Sequence, residues 1–493
     1  MDFVLNRQFP GKLILTITNL LFGMMTVILL SCDVNAESIS YVTPQMYGAV
    51  ANGIADDSDA LQSAIDSGSP VYLPAGEYYI TKPIRVYNKK NLWVQGSPEA
   101  VIHRMHDDSE RVFLFNLQNC YSCMFRDLNI TSDIAGVGSA PNGHTRPSLA
   151  SSNILAFGGN GNSNIYFYNN TFSNMESDFW FNDPKVGWNS IHINGWISRN
   201  STMALYGQKC TNLTVTNADV ILNSETAGDG DHCIYIAQGS SSIYIRDSVF
   251  DAGTGIYGEG SPGAVFTFYR SGNVEGNQII ENVTISNCTI RGGRFLYGNC
   301  GKKETISALN CNFEQTFSRG EDYTGAFGGD TNYRIINSKI DVSTYTITGQ
   351  QLSDTGILFY GCDINAEILD TVCFADPTNL WVYNCNIKVG KMLLYIKEDN
   401  VNAKVGINNC SIYTAADSYL MSKRNTSGTV MVSNTSIDNS LSADRLVYNG
   451  NAADMSGFTI SDCSISGYKT VASPRNILNS NITNTTLNGM YVN

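Results

Sequence analysis

The stretch "GDGDHCIYI", Gly228 to Ile236, gathers three side chains of types that move protons: Asp229, Asp231 and His232. Hydrolysis of a glycosidic bond needs two carboxylates at a set separation, one protonated and one ionised. Asp229 and Asp231 supply such a pair, alone or with Glu225 or Glu259 from neighbouring stretches. β-Elimination needs a base instead, together with a cation that neutralises a uronate carboxylate. His232, Tyr235, Lys209 and Arg270 are groups of that kind, and Gln208, Gln238 and Arg270 align as one column over a common face. A second stretch, "DFWFNDPKVGW" (Asp178–Trp188), reads as a loop with exposed aromatics, Trp180 among them, suited to stacking on sugar rings. Each group also has a plain structural reading. Asp-Gly-Asp is an ordinary turn sequence. His232 shares the parity of Ile234 and Ile236 and so points inward with them. Trp180 and Trp188 pack the loop against the body as readily as they bind a ligand, and Arg270 alone is a solvated cation.

The elements that position these residues follow from a repeat. "VTISNCTI" (Val283–Ile290), "ISALNCNF" (Ile306–Phe313), "LWVYNCNI" (Leu380–Ile387), "VGINNCSI" (Val405–Ile412) and "FTISDCSI" (Phe458–Ile465) are versions of one pattern. Its fixed point is Asn287, Asn310, Asn337, Gly361, Asn384, Asn409, Asn434 and Asp462, at intervals of 23 to 28 residues. Such a period is the mark of a solenoid. Val283 and Ile285 share one parity, Cys288 and Ile290 the other, so the chain bends at Asn287 to keep both pairs inside. Asn, Asp and Gly tolerate the left-handed backbone that such a bend requires. The same corner falls upstream at Asp127, Asn169, Gly195, Asn217 and Asp247. The expectation is an all-β chain, a single-stranded parallel β-helix occupying one domain over 40–493. Corner spacing widens to 30 residues from Asn217 to Asp247 and 40 from Asp247 to Asn287, so insertions gather beside the opening stretch. Asp127 to Asn169 spans 42 residues, a further insertion or an irregular rung.

Composition narrows the partners. The net charge of −13 with 15% charged residues excludes the basic face that nucleic acid requires. Cys288, Cys311, Cys362, Cys385, Cys410 and Cys463 sit just after the corner on the inward side. They read as a stack of buried thiols rather than disulfides; Cys120, Cys123, Cys210 and Cys233 stay open between the two. No spacing resembles a zinc site with its histidines. The repeated Asn-x-Ser/Thr triplets read as a corner ladder rather than as glycan acceptors. At the N-terminus, Arg7 and Lys12 precede an apolar stretch from Leu13 to Leu30. Val34 and Ala36 suit cleavage after Ala36, giving a leader over 1–36 and a secreted or periplasmic product. "LLSC" (Leu29–Cys32) reads alternatively as a lipoprotein box, with Cys32 as a membrane tether at the cell surface. An uncleaved anchor is the third reading.

An open β-helix end needs a cover, and "YGAVANGIADDSDALQSAIDSGSPVYLPAGEYYI" (Tyr47–Ile80) supplies one within a cap over 43–80. Asp57 or Ser58 caps a short helix whose Ala60, Leu61, Ala64 and Ile65 share a face, and Gly68 ends it. The order is aromatic-Gly-Ala, an Asp-Asp-Ser helix start, Ala-hydrophobic-Gln-x-Ala-Ile, then Val-x-Leu-Pro-x-Gly-x-Tyr. It closely resembles the opening of the pectate-lyase-like right-handed parallel β-helix superfamily of polygalacturonases, polysaccharide lyases, uronate epimerases, phage tailspikes and non-catalytic relatives. The resemblance implies a right-handed coil and a polysaccharide partner, with Ca2+ as the cofactor to expect of a lyase and none of a hydrolase. Tailspike relatives make a homotrimer a state it allows. "DGDHCIYIAQGSSSIYIRDSVF" (Asp229–Phe250) is similar to the polygalacturonase region in which an Asp pair leads into Cys-Ile-x-Ile. On that similarity Asp231 is the second carboxylate of the pair. The Gly-His-Gly that would follow reads "GTG" (Gly253–Gly255) here, and the Asn-Thr-Asp and Arg-x-Lys motifs are absent. The expectation is therefore an exported enzyme cleaving glycosidic bonds, with Asp229, Asp231 and His232 as catalytic groups. Arg270, Tyr235, Lys209, Glu259 and Trp180 are expected to hold the substrate. The alternative is a glycan-binding β-helix without catalysis.

Overall fold

The computed structural model describes residues 40–104, 112–132, 154–182, 186–222, 232–252, 265–269, 279–300, 304–315, 326–329, 331–342, 347, 356–367, 372–375, 377–397, 403–415, 417, 419–423, 428–448, 457–471 and 481–492. The chain divides into Met1–Tyr41 and a compact unit, Val42–Asn493. Within the larger unit the strands build a parallel β-helix. Each coil passes through three sheets, and the strands pair in parallel with their equivalents one coil on, apart from the antiparallel pair Thr485–Leu487 and Met490–Val492 at the end. Sheet A runs from Val71–Leu73 to Asn481–Thr483 in 16 strands, and sheet B has 18. Sheet C is split into nine strands, Ile84–Tyr87 to Phe327–Gly329, and four, Val372–Ala375 to Val447–Tyr448. Ile347 bridges the two parts, accepting from Phe327 N at 3.1 Å and donating to Cys373 O at 2.8 Å.

The corner from sheet A to sheet B is the one the repeat marks. All thirteen corner residues from Asp127 to Asp462 have positive φ, between 49° and 71°. Their side chains link coil to coil. Asn310 Nδ2 donates to Asn287 Oδ1 at 3.3 Å, Asn409 to Asn384 at 2.7 Å and Asn217 to Asn194 at 3.0 Å. Where the residue after a corner carries a hydroxyl, it turns inward and bonds the neighbouring backbone. Ser248 Oγ accepts from Ala218 N at 2.9 Å and donates to Arg246 O at 2.6 Å; Ser338 serves Cys311 N and Ile336 O the same way. Cys288 puts its thiol to Ser286 O at 3.2 Å, so sulfur stands where other coils use a hydroxyl. The twelve described cysteines are all buried and unbridged, Cys120, Cys123, Cys210 and Cys233 included. Burial pushes the Cys288 and Cys300 thiols up to about 12, so they stay protonated and unreactive.

A second left-handed column lies between sheets C and A: Asn91, Ser122, Asn164, Ser190, Asn212, Ser242 and Asn282, φ 53–58°. The interior is largely apolar and locally aromatic. Phe115, Phe157 and Phe179 stack coil over coil at 5.0 and 6.0 Å between centroids. This burial drives the coil to close, at about 25 cal/mol for each Å² of apolar surface removed from water.

The expected cover is present. Helix α1 (Ser58–Asp66) buries Ala60, Leu61, Ala64 and Ile65, and Gly68 follows at φ 75°. Asp57 stands at the N-cap, but its carboxylate accepts from Val50 N and Ala51 N at 2.7 and 3.1 Å rather than from the helix. Ser58 Oγ accepts from Thr81 N and Lys82 N, tying the helix to the first coil. No helix among the described residues is long and apolar enough to cross a membrane; the leader, Cys32 and Ala36 lie outside them.

Candidate functional site on the outer face of sheet C

Side chains on sheet C alternate, so each strand sends one row into the core and one outward. The pairings Trp180↔Tyr206, Tyr206↔Tyr235, Tyr235↔Thr267 and Thr267↔Tyr297 define one outward row across five successive strands. Its rings lie on one another. Trp180 and Tyr206 stack with centroids 4.4 Å apart and planes 19° apart, and Tyr206 and Tyr235 follow at 5.4 Å and 23°. Strand pairing sets this spacing, because neighbouring strands in a sheet lie about 4.8 Å apart. Leu155 and Met203, with Phe113 at the margin, pack beside the ladder as a small apolar cluster outside the core. Further along, the Arg294 guanidinium sits 5.2 Å from the centre of the Tyr297 ring. Burial raises the Tyr206 and Tyr235 hydroxyls above the ordinary phenol range, so both act as neutral hydrogen-bond groups at neutral pH.

His232 belongs to this outer face. Its Nδ1 lies 3.1 Å from Thr267 Oγ1, and its ring meets Tyr235 edge-on at 5.1 Å, both partners being in the outward row. The inward direction expected from strict alternation is therefore corrected. The strand begins at Ile234, and His232 precedes it, where period two does not apply. The imidazole is 6% exposed. Thr267 and Tyr235 fix its ring on the ladder's edge.

Lys209 marks the other end of the same strands. It is left-handed, φ 51°, at a corner where the adjoining coils carry Gly187 and Gly239. A non-glycine residue pays about 1–2 kcal/mol for that conformation. A Cβ at Gly239 would stand 2.9 Å from Lys209 Cγ, so glycine there makes the room the lysine stem occupies. Gln208 does not join the expected column of Gln208, Gln238 and Arg270, and Arg270 lies outside the described residues. Gly207 pairs with Ile236, so Gln208 follows level with Ala237, one residue short of Gln238. Ala237 pairs in turn with Tyr269.

The aromatic loop is also corrected. Trp180 lies within the strand Ser177–Asn182 and is only 8% exposed; Trp188 opens the strand Trp188–Asn194 and is in the core, its Nε1 donating to Gly159 O at 2.9 Å. The stretch is two strands because Phe179 and Phe181 fill the interior while Trp180 faces out. Asp178 lies beneath the ladder, fully buried. It accepts from Trp196 Nε1 at 2.8 Å and Ser201 Oγ at 2.6 Å, and burial pushes its carboxyl up to about 7.

Thus the structure brings together Trp180, Tyr235 and His232 on one face and places Lys209 at its edge. Asp229, Asp231, Glu259 and Arg270 lie outside the described residues, as does Glu225. In sequence, 223–231 precede Ile234–Ala237, 253–264 precede Phe266–Tyr269 and 270–278 follow it. Tyr206, Thr267 and Tyr297 were not singled out from sequence. The signal was the polar or aromatic residue in the middle of "LYG", "FTF" and "LYG", the first two being two coils apart and the last two one coil apart. Among the described residues no three His, Cys, Asp or Glu side chains gather as metal ligands.

Residues 43–204 match the family described as rhamnogalacturonase A/epimerase, pectate lyase-like. The pre-neck appendage protein of Bacillus phage phi29 is 38% identical over 64 residues, 13% of this chain and 8% of that protein. The chain thus spans under a tenth of the length of the curated relatives it matches. Among solved structures, the Streptococcus pneumoniae surface adhesin PfbA is similar over 87% of this chain and 91% of its own, at 13% identity and a TM-score of 0.41. The family 28 exopolygalacturonase of Yersinia enterocolitica is similar over 88% and 79%, at 13% identity and a TM-score of 0.37. At these values neither structure speaks to activity.

Proposed function

With a pectate-lyase-like parallel β-helix as the premise, we propose that this protein is exported and cleaves glycosidic bonds of a polysaccharide along the outer face of sheet C. One observation carries the reading: the outward ladder Trp180–Tyr206–Tyr235, with ring centroids 4.4 and 5.4 Å apart. Aromatic faces combine apolar area with polar edges and suit the C–H faces of sugar rings. A row of them on a sheet offers a track on which a glycan chain lies rather than a pocket for one small molecule. His232, held by Thr267 Oγ1 at the edge of that track, is the imidazole nearest the bound sugar.

On the hydrolytic route Asp229 and Asp231 serve as the acid and base beside His232, and Lys209, Arg270 and Glu259 orient the chain. On the eliminative route Lys209 or Arg270 neutralises a uronate carboxylate and His232 removes the proton α to it. The glycosidic C–O bond at the β carbon breaks to leave a double bond, the departing oxygen taking a proton from solvent as a hydroxyl. Ca2+ would bind and polarise that carboxylate if present, and the described residues give it no ligand set. The second reading, glycan binding without cleavage, is favoured by the ladder itself, whose described members carry no carboxylate.

A panel of acidic and neutral polysaccharides, scored for new reducing ends and for the ultraviolet absorbance of unsaturated uronates, decides among the three. Reducing ends alone mean hydrolysis, both signals mean elimination, and tight binding with neither signal means a binder. Asp231→Asn and His232→Ala are expected to abolish turnover while leaving the far-ultraviolet circular dichroism unchanged. Retained turnover in both would move the chemistry elsewhere.

A further inference from the structure

A second aromatic surface lies on another sheet, in the C-terminal half of the coil. On sheet A the outward row Arg334, Leu358, Trp381, Gly406 and Met431 runs beside the row Leu309, Ile336, Tyr360, Tyr383 and Asn408. Met431 and Tyr360 are 53% and 44% exposed. Trp381 and Tyr383 are near-parallel, with planes 29° apart and centroids at 6.3 Å. Gly406 explains how the indole is held. A Cβ there would stand 2.4 Å from Trp381 Cε3 and 2.5 Å from Cζ3, so the ring edge fills the space above the glycine. Gly406 is buried although its register faces outward. Any side chain at that position would push the indole off the sheet.

Charge and area choose the occupant. In these rows and the adjoining one, Asn332, Gly356, Asn379, Lys404 and Thr429, the ionisable groups besides the tyrosines are Arg334 and Lys404, both cations on a chain of net charge −13. The apolar strip is two side chains wide and about five strands long, which at about 4.8 Å per strand is on the order of 300 Å². A stable protein interface takes roughly 800 Å² from each partner. The strip is too small for a second copy of this chain and fits a short run of sugar rings.

We propose that this face of sheet A is a second saccharide-binding surface, stacking sugar rings on Trp381 and Tyr383 and meeting acidic substituents with Arg334 and Lys404. It rests on its own geometry and does not depend on cleavage at sheet C. It would anchor an acidic glycan on a different face of the coil from the proposed cleavage track.

The test is native affinity electrophoresis of the whole protein in gels containing polygalacturonate, alginate or neutral galactomannan, with Trp381→Ala, Gly406→Val and the double variant Arg334→Ala/Lys404→Ala run alongside. Loss of one aromatic stack corresponds to about tenfold weaker binding. The proposal expects retardation by an acidic glycan that Trp381→Ala and Gly406→Val weaken by about that factor, and that the cation variant weakens at low salt, its difference from wild type shrinking as salt rises. Thermal midpoints confirm folding, and turnover at sheet C stays unchanged in Trp381→Ala. Three results would overturn it: no retardation by either acidic glycan, retardation equal in Trp381→Ala and wild type, or a wild-type dimer in sedimentation that Trp381→Ala dissolves. Gly406→Val removes the indole's seat while retaining the indole, so a loss in both variants assigns the effect to ring position.

Discussion

Asp178→Asn isolates the energetic cost of a carboxyl held beneath the proposed track. Asp178 is fully buried, with Trp196 Nε1 and Ser201 Oγ as donors, and its carboxyl is pushed up to about 7 from 3.8. Burial is the cause, outweighing hydrogen bonds that favour the charged form. Below about pH 4 the group is protonated in folded and unfolded chains alike, and it does not alter stability. Between about 4 and 7 the unfolded chain releases the proton while the folded one keeps it, so stability falls as pH rises. The difference of roughly three units at about 1.4 kcal/mol each gives about 4 kcal/mol lost by pH 8. An unfolding entropy of roughly 2 cal/mol/K per residue over a unit of this size converts that to about 4 °C. Asparagine keeps the shape and a carbonyl for Trp196, and its amide can donate to Ser201. Differential scanning calorimetry from pH 4 to 8 should show the wild-type midpoint falling relative to Asp178→Asn by about this amount. Parallel curves for the two proteins would refute the reasoning and place an unrecognised cation or water beside Asp178.

Asn409→Ala should cost about 2 kcal/mol, combining the left-handed penalty with the lost hydrogen bond to Asn384. Asn409→Gly should cost about half as much, and urea melts of both measure the ratio. The twelve buried cysteines should resist a thiol reagent in the native protein and react together on unfolding; native reaction of Cys288 or Cys300 would contradict their placement. Tyr206→Ala should weaken glycan binding about tenfold by breaking the ladder at its centre, as isothermal titration would show.

The corner from sheet A to sheet B was readable because two demands coincide there. The chain must reverse parity, and only Asn, Asp and Gly adopt the required backbone cheaply, so Asn287, Asn310 and Asn384 announce themselves. The second left-handed column was not readable. Ser122, Ser190 and Ser242 share it with Asn164 and Asn212, and serine carries no such signal. Sheet C was the least legible because its strands follow insertions of unequal length. That is why Trp180 read as loop and His232 as inward, although both belong to the outer ladder. The ladder of Trp180, Tyr206 and Tyr235 is a property of coil register, and local pattern does not fix register across unequal insertions.

A glycan chain that lies on the Trp180–Tyr206–Tyr235 face and is cut there needs both the rings and the His232 imidazole. The direct measurement is product formation by wild type and His232→Ala on the one polysaccharide that Tyr206→Ala binds less tightly than wild type. The account predicts cleavage by wild type and none by His232→Ala, with glycan affinity within about threefold between the two because the rings are intact. Cleavage that survives both His232→Ala and Tyr206→Ala at wild-type rates would contradict it.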